Sequence, residues 1–95
     1  MDCSGLVHYT YLKVGVTVPR TVEEQRRHAF PVSLNELQPG DLLFFRLDGR
    51  RISHVGIYLG GKRFIHAPRT GKHVSIAYLN DIYWNKRLAA AGRFY

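Results

Sequence analysis

An α+β domain, with N-terminal helices packed on an antiparallel sheet of about five strands, is the fold class this sequence predicts. Helical spacing and capping signals crowd into the front third. Short apolar runs separated by turn residues fill the rest. No repeat, low-complexity tract or long linker interrupts the order. Its 95 residues allow one domain, 1–95, with a small but real core.

The first helix is expected over Ser4 to Val14, with Val7, Tyr11 and Val14 at helical spacing. Gly15 to Arg20 reads as a loop. Thr21 is an N-cap, and Glu24 three residues on completes a capping box, so a short helix runs from Val22 to Arg27 or His28. Pro31 ends any continuation. Gln38-Pro39-Gly40-Asp41 is a turn in which Asp41 stabilises the backbone. Leu42 to Phe45 is a buried strand, and Asp48-Gly49-Arg50 a turn. His54 to Leu59 and Lys62 to Ala67 flank two glycines and read as a β-hairpin. A strand near His73 to Ala77, a connection from Leu79 to Trp84 and a closing strand from Arg87 to Tyr95 complete the chain.

The net charge of +7 favours anionic partners. The basic residues are dispersed, as in Arg26-Arg27, Arg50-Arg51, Lys62-Arg63, Lys72 and Lys86-Arg87, and form no basic arm. No nucleic-acid-binding signature accompanies them, so nucleic acid is not the expected partner. No stretch approaches the ~20 apolar residues of a membrane span. No signal peptide precedes Asp2. The single cysteine excludes an internal disulfide.

That cysteine, Cys3, stands at the start of the first helix, where backbone N–H groups and the helix dipole favour the thiolate. A cysteine nucleophile needs a base, and a base needs a polar partner that fixes its orientation. His54 is a candidate base and His66 a candidate orienting residue. A three-residue hairpin loop of Leu59 to Gly61 sets His54 opposite His66 and Val55 opposite Ile65, with both histidines on one face. Zinc held by Cys3, His54 and His66 is the alternative, though CxxC and HxxxH are absent and no metal or other cofactor is expected. His8, His28 and His73 read as surface or structural. Tyr58, Phe64, Tyr83 and Trp84 fit a core better than a cleft wall.

Asp2-Cys3-Ser4-Gly5-Leu6-Val7, Pro19-Arg20-Thr21, Gln25, Leu37 to Phe45, His54 to Gly60 and Phe64-Ile65-His66-Ala67 together resemble the NlpC family of papain-like cell-wall cysteine peptidases. The resemblance implies a papain-like fold and hydrolysis of amide bonds in peptidoglycan stem peptides, commonly after γ-D-glutamate. It implies Cys3 as nucleophile, His54 as base, His66 as orienting residue and the Cys3 N–H as oxyanion donor. Asp2 and Ser4 resemble positions that bind substrate, and Arg20 and Arg69 are candidates to grip a stem-peptide carboxylate. A location in the cell envelope, or secretion, follows if the protein is exported. Family members carry a further segment before the nucleophile motif, whereas this sequence opens two residues before Cys3. A homodimer is therefore expected, in which a second copy covers Val7, Tyr11 and Val14. A non-catalytic wall-binding module and an acyl- or amide-transferring enzyme are the competing functions.

Overall fold

The computed structural model describes residues 2–67 and 73–94. Met1, Arg69, Lys72 and Tyr95 lie outside the described residues. The elements are α1 (Cys3–Lys13), α2 (Val22–His28), β1 (Phe30–Val32), β2 (Leu42–Phe45), β3 (His54–Gly60), β4 (Arg63–His66), β5 (Ser75–Tyr78), α3 (Ile82–Arg87) and β6 (Leu88–Arg93). One antiparallel sheet runs in the order β1-β6-β2-β3-β4-β5.

The α+β class agrees with expectation, and the sheet has six strands among the described residues where about five were expected. The added strand is β1, which contains Pro31. Proline lacks a ladder donor, and β1 is an edge strand, the position that tolerates it. The closing strand is shorter than expected. Arg87 ends α3, and β6 starts at Leu88.

β2 is central, and all four of its residues are buried. Its alternating side chains feed two layers. Leu42 and Phe44 join Val55, Ile57, Val7 and Tyr11 beneath α1. Leu43 and Phe45 join Phe64 and Leu79 on the opposite face, with Trp84 of α3 packed against them. Burial on both faces explains why Leu42 to Phe45 is an unbroken apolar run.

The front half of α1 is buried on every side, from Cys3 through Val7. Tyr11 is also buried, and its hydroxyl donates to the Gly40 carbonyl. Val14 caps the helix and is 74% exposed. The expected uncovered stripe of Val7, Tyr11 and Val14 is thus covered from within the chain at two of its three positions. α2 keeps its expected bounds, and Thr21 Oγ1 accepts from the Glu24 N–H at 3.3 Å.

The hairpin register differs from the expected one. Ile57 faces Ile65 and Tyr58 faces Phe64, with a shift before Gly60 faces Arg63. Gly61 and Lys62 form the turn with φ of +61° and +66°, the left-handed pair that a tight two-residue hairpin requires. Gly60, at φ +93°, absorbs the extra residue as a bulge. The later turn and the one-residue bulge together offset the strands by two residues from the expected pairing. His54 and His66 stay on one face but lie diagonally rather than directly opposite. Val55 does not face Ile65.

Candidate functional site

Asp2 caps α1 by accepting the Gly5 N–H at 2.7 Å, so the helix begins at Cys3 itself. Aspartate is among the best N-caps, and its place before Cys3 was the signal for this role. Burial raises the Asp2 carboxyl, but the Gly5 N–H and Arg20 outweigh it and hold it below its ordinary value. Arg20 reaches Asp2 Oδ1 at 3.2 Å and donates to Ser4 Oγ at 3.0 Å. Asp2, Ser4 and Arg20 therefore form one polar cluster around the helix start. Gly5 makes the cluster possible, since a Cβ there would sit 2.6 Å from Asp2 Oδ1 and 3.0 Å from Arg20 Nη2. Behind it, the buried Gln25 donates to the Ser4 and Pro19 carbonyls at 3.1 and 2.7 Å. Gln25 thereby ties α2 to the helix that carries Cys3.

Cys3 is buried in the layer beneath α1. Burial pushes its thiol up from the ordinary value, against the opposing pull of the Val55 and Ser4 backbone N–H groups. The expected thiolate bias is thus reversed in the resting structure. A helix end supplies only about 0.3–1 kcal/mol at the surface, less than the desolvation of a buried anion.

His54 opens β3, one residue before the Val55 whose N–H faces the thiol. Its Nε2 lies 2.9 Å from Nδ1 of His66. The rings are perpendicular, with centroids 5.0 Å apart. Both histidines are buried. Burial, and then the charge of His66, lower the His54 pKa to about 4. Burial also lowers that of His66. Both imidazoles are therefore neutral at neutral pH.

Trp84 completes this corner. It stacks on His54 at 5.6 Å and 27°, and meets His66 edge-on at 4.9 Å. Phe45 and Phe64 close the remaining sides at 6.0 Å from His54 and 5.2 Å from His66. Sequence reasoning missed the role of Trp84 because its contact with the histidines depends on α3 folding back over the sheet. Its being the only tryptophan was the available signal.

The structure thus brings His54 and His66 together and places Cys3 at the adjoining residue of β3. No thiol–imidazole hydrogen bond is formed among the described residues. No group of three or more His, Cys, Asp or Glu among them is placed to hold a metal ion, so Cys3, His54 and His66 do not converge as a zinc site. His8 Nδ1 bonds the Val18 carbonyl at 2.9 Å, a structural contact. Among the described residues, no helix is long and apolar enough to cross a membrane.

Comparison with known proteins extends this geometry. The sequence profile of the NlpC/P60 family matches residues 1–93. The chain is 45% identical over 96 residues to the murein DD-endopeptidase MepH of Escherichia coli (strain K12), covering 97% of this chain and 35% of that one. It is 36% identical over 94 residues to the γ-D-glutamyl-L-lysine dipeptidyl-peptidase of Bacillus subtilis (strain 168), covering 97% of this chain and 32% of that protein. The chain therefore spans about a third of the length of these relatives. The crystal structure of an NlpC/P60 family protein from Bacillus cereus superposes with a TM-score of 0.91 at 38% identity, covering 99% of this chain and 32% of that chain. With its helix-start cysteine, its buried histidine pair and a family match running nearly end to end, the chain belongs to the NlpC/P60 family.

Proposed function

We propose that this chain is the catalytic domain of a cysteine endopeptidase that hydrolyses amide bonds in peptidoglycan stem peptides, at the bond after γ-D-glutamate. The observation that carries the reading is the 2.9 Å bond from His54 Nε2 to His66 Nδ1, next to a cysteine at a helix start. The names of its relatives, a murein endopeptidase and a γ-D-glutamyl-L-lysine peptidase, support the substrate class. They also support a place of action in the cell envelope or outside the cell.

The chemistry runs by general-base catalysis from a neutral pair. His54 donates its Nε2 proton to His66 Nδ1, which leaves His54 Nδ1 as the basic nitrogen. That nitrogen takes the Cys3 proton as sulfur attacks the scissile carbonyl. The carbonyl oxygen becomes an oxyanion, received by the Cys3 backbone N–H at the helix start. The imidazolium then protonates the leaving amine. Water, deprotonated by His54, cleaves the thioester and frees the thiol. His66 orients the base by accepting its Nε2 proton in a hydrogen bond, and Trp84 holds the ring plane. Asp2 and Arg20 form a half-exposed polar rim that binds the peptide beside the bond, with the buried Ser4 hydroxyl holding Arg20 from behind.

Incubation with purified peptidoglycan tests the reading. Mass analysis of released fragments is expected to show peptides cut after γ-D-glutamate with the wild type, and none with Cys3→Ala. Binding to peptidoglycan without such fragments would favour a non-catalytic wall-binding module.

A further inference from the structure

A band of cations crosses the surface beside the candidate active site. Arg26, Arg46, Arg50 and Arg51 line a cleft of about 490 Å³, whose apolar wall is Val22 and Ile52. Both apolar residues pack against the cluster that contains Cys3, and Ser53 of the cleft adjoins His54. A second cleft of about 530 Å³ shares Arg46 and adds Lys86 and Arg87. Six cations therefore line two adjoining clefts, against the acidic Glu23 and Asp48.

The band is built rather than incidental. Asp48 Oδ1 accepts the Arg50 and Arg51 N–H groups at 3.0 and 3.3 Å. Gly49, at φ +77°, makes the turn that this geometry needs. Ser53 closes the loop, with its N–H on the Phe45 carbonyl and its Oγ accepting from the Leu47 N–H. The Arg46 N–H donates to the Arg87 carbonyl at 2.9 Å, which joins the two clefts. Arg87 lies over the Tyr83 ring at 3.8 Å and donates to the Tyr83 carbonyl. The Arg50-Arg51 turn and Arg87 are thus fixed in advance, which lowers the ordering cost of binding.

We propose that this band is a binding site for a linear polyanion, a chain with repeated carboxylate or phosphate groups, that holds the enzyme on its matrix. A single carboxylate occupies one guanidinium fork, whereas a row of cations across two clefts suits a chain of anionic groups. The inference extends the peptidase reading, and its readout is binding, so a failure of hydrolysis leaves it decidable.

The test measures binding of poly-γ-glutamate, inorganic polyphosphate and a single-stranded oligonucleotide to the Cys3→Ala protein across a salt series. An Arg50→Gln/Arg51→Gln variant is compared with Lys13→Gln/Arg63→Gln, which removes the same charge elsewhere. Binding of poly-γ-glutamate or polyphosphate is expected to weaken about tenfold or more in the arginine variant and at most threefold in the control, with a shallower salt slope. Tighter binding of poly-γ-glutamate identifies a carboxylate chain as the natural ligand, and tighter binding of polyphosphate a phosphate chain. Equal weakening in both variants, or no binding of either polymer at moderate salt, would overturn the site. An oligonucleotide that binds more tightly than both, with the same arginine dependence, would overturn the assignment to a matrix polymer.

Discussion

Arg93 grips Asp41 through two parallel hydrogen bonds, Nε to Oδ1 at 2.6 Å and Nη2 to Oδ2 at 2.7 Å. Asp41 is fully buried, and its Oδ2 also accepts the Gln38 N–H at 2.8 Å. One carboxylate therefore closes the Pro39-Gly40 turn and ties β6 to the start of β2. Arg93→Ala leaves that carboxylate buried without its counter-charge, and is expected to cost about 3–5 kcal/mol. Arg93→Leu/Asp41→Leu removes both charges and is expected to recover more than half of that loss. Urea unfolding of the three proteins checks this. A single-variant loss below about 1 kcal/mol would show that the pair is not structural.

The histidine pair predicts unequal losses. His54→Ala removes the proton acceptor and is expected to reduce kcat to within about tenfold of Cys3→Ala. His66→Ala removes orientation and is expected to leave more activity. It also takes away the neighbouring charge and part of the burial that hold the His54 pKa down. The acid limb of its pH–rate profile should therefore rise from about 4 toward the ordinary histidine range. Steady-state rates on a γ-glutamyl peptide between pH 4 and 8 read both effects. An unmoved acid limb would remove His66 from the role.

Much of the site was legible because its signals are local. Thr21 and Glu24 announce α2, and Cys3 before a helical stretch marks the thiol. The face shared by His54 and His66 follows from strand alternation. The register was not legible, because it depends on whether Gly60 bulges and on which two residues take positive φ. Val7 and Tyr11 read as an uncovered stripe because helical spacing does not say which strand will cover it. The direction of the Cys3 pKa was missed because burial is a property of the packed sheet, not of the helix start. β1 was hidden by Pro31, which sequence rules place outside a sheet interior but permit at an edge.

Trp84 makes the histidines optically visible. It is the only tryptophan, stacked on His54 and edge-on to His66, so imidazole protonation is expected to quench its fluorescence. The quenching midpoint in the folded protein should lie near the His54 value of about 4. Stability must move with it. A folded-state pKa below the unfolded one means that the unfolded chain binds more protons between the two values. The histidines' contribution is therefore intact above about pH 6.5 and lost as pH falls toward 4, by on the order of 3 kcal/mol for His54. Urea midpoints should fall across that window, and less steeply in His54→Gln. A fluorescence midpoint near 6.5 would mean that the pair is solvated.

The thiol gives the most direct test of a neutral resting pair. A thiolate–imidazolium site reacts rapidly with iodoacetamide even in mild acid, because the anion is already present. Here burial raises the Cys3 thiol, the Asp2 charge adds to that, and the Val55 and Ser4 N–H groups only partly offset it. The buried imidazole is also a poor resting acceptor, with its pKa pulled down to about 4. Alkylation of the folded protein at pH 6 should therefore be no faster than that of the urea-unfolded chain. Its rate should climb with pH and show no plateau below the ordinary thiol value of about 8.5. Saturation with a γ-glutamyl peptide that cannot be cut is then expected to slow alkylation further by covering Cys3. A fast plateau below pH 7 would establish a preformed thiolate and replace general-base catalysis with an ion-pair mechanism.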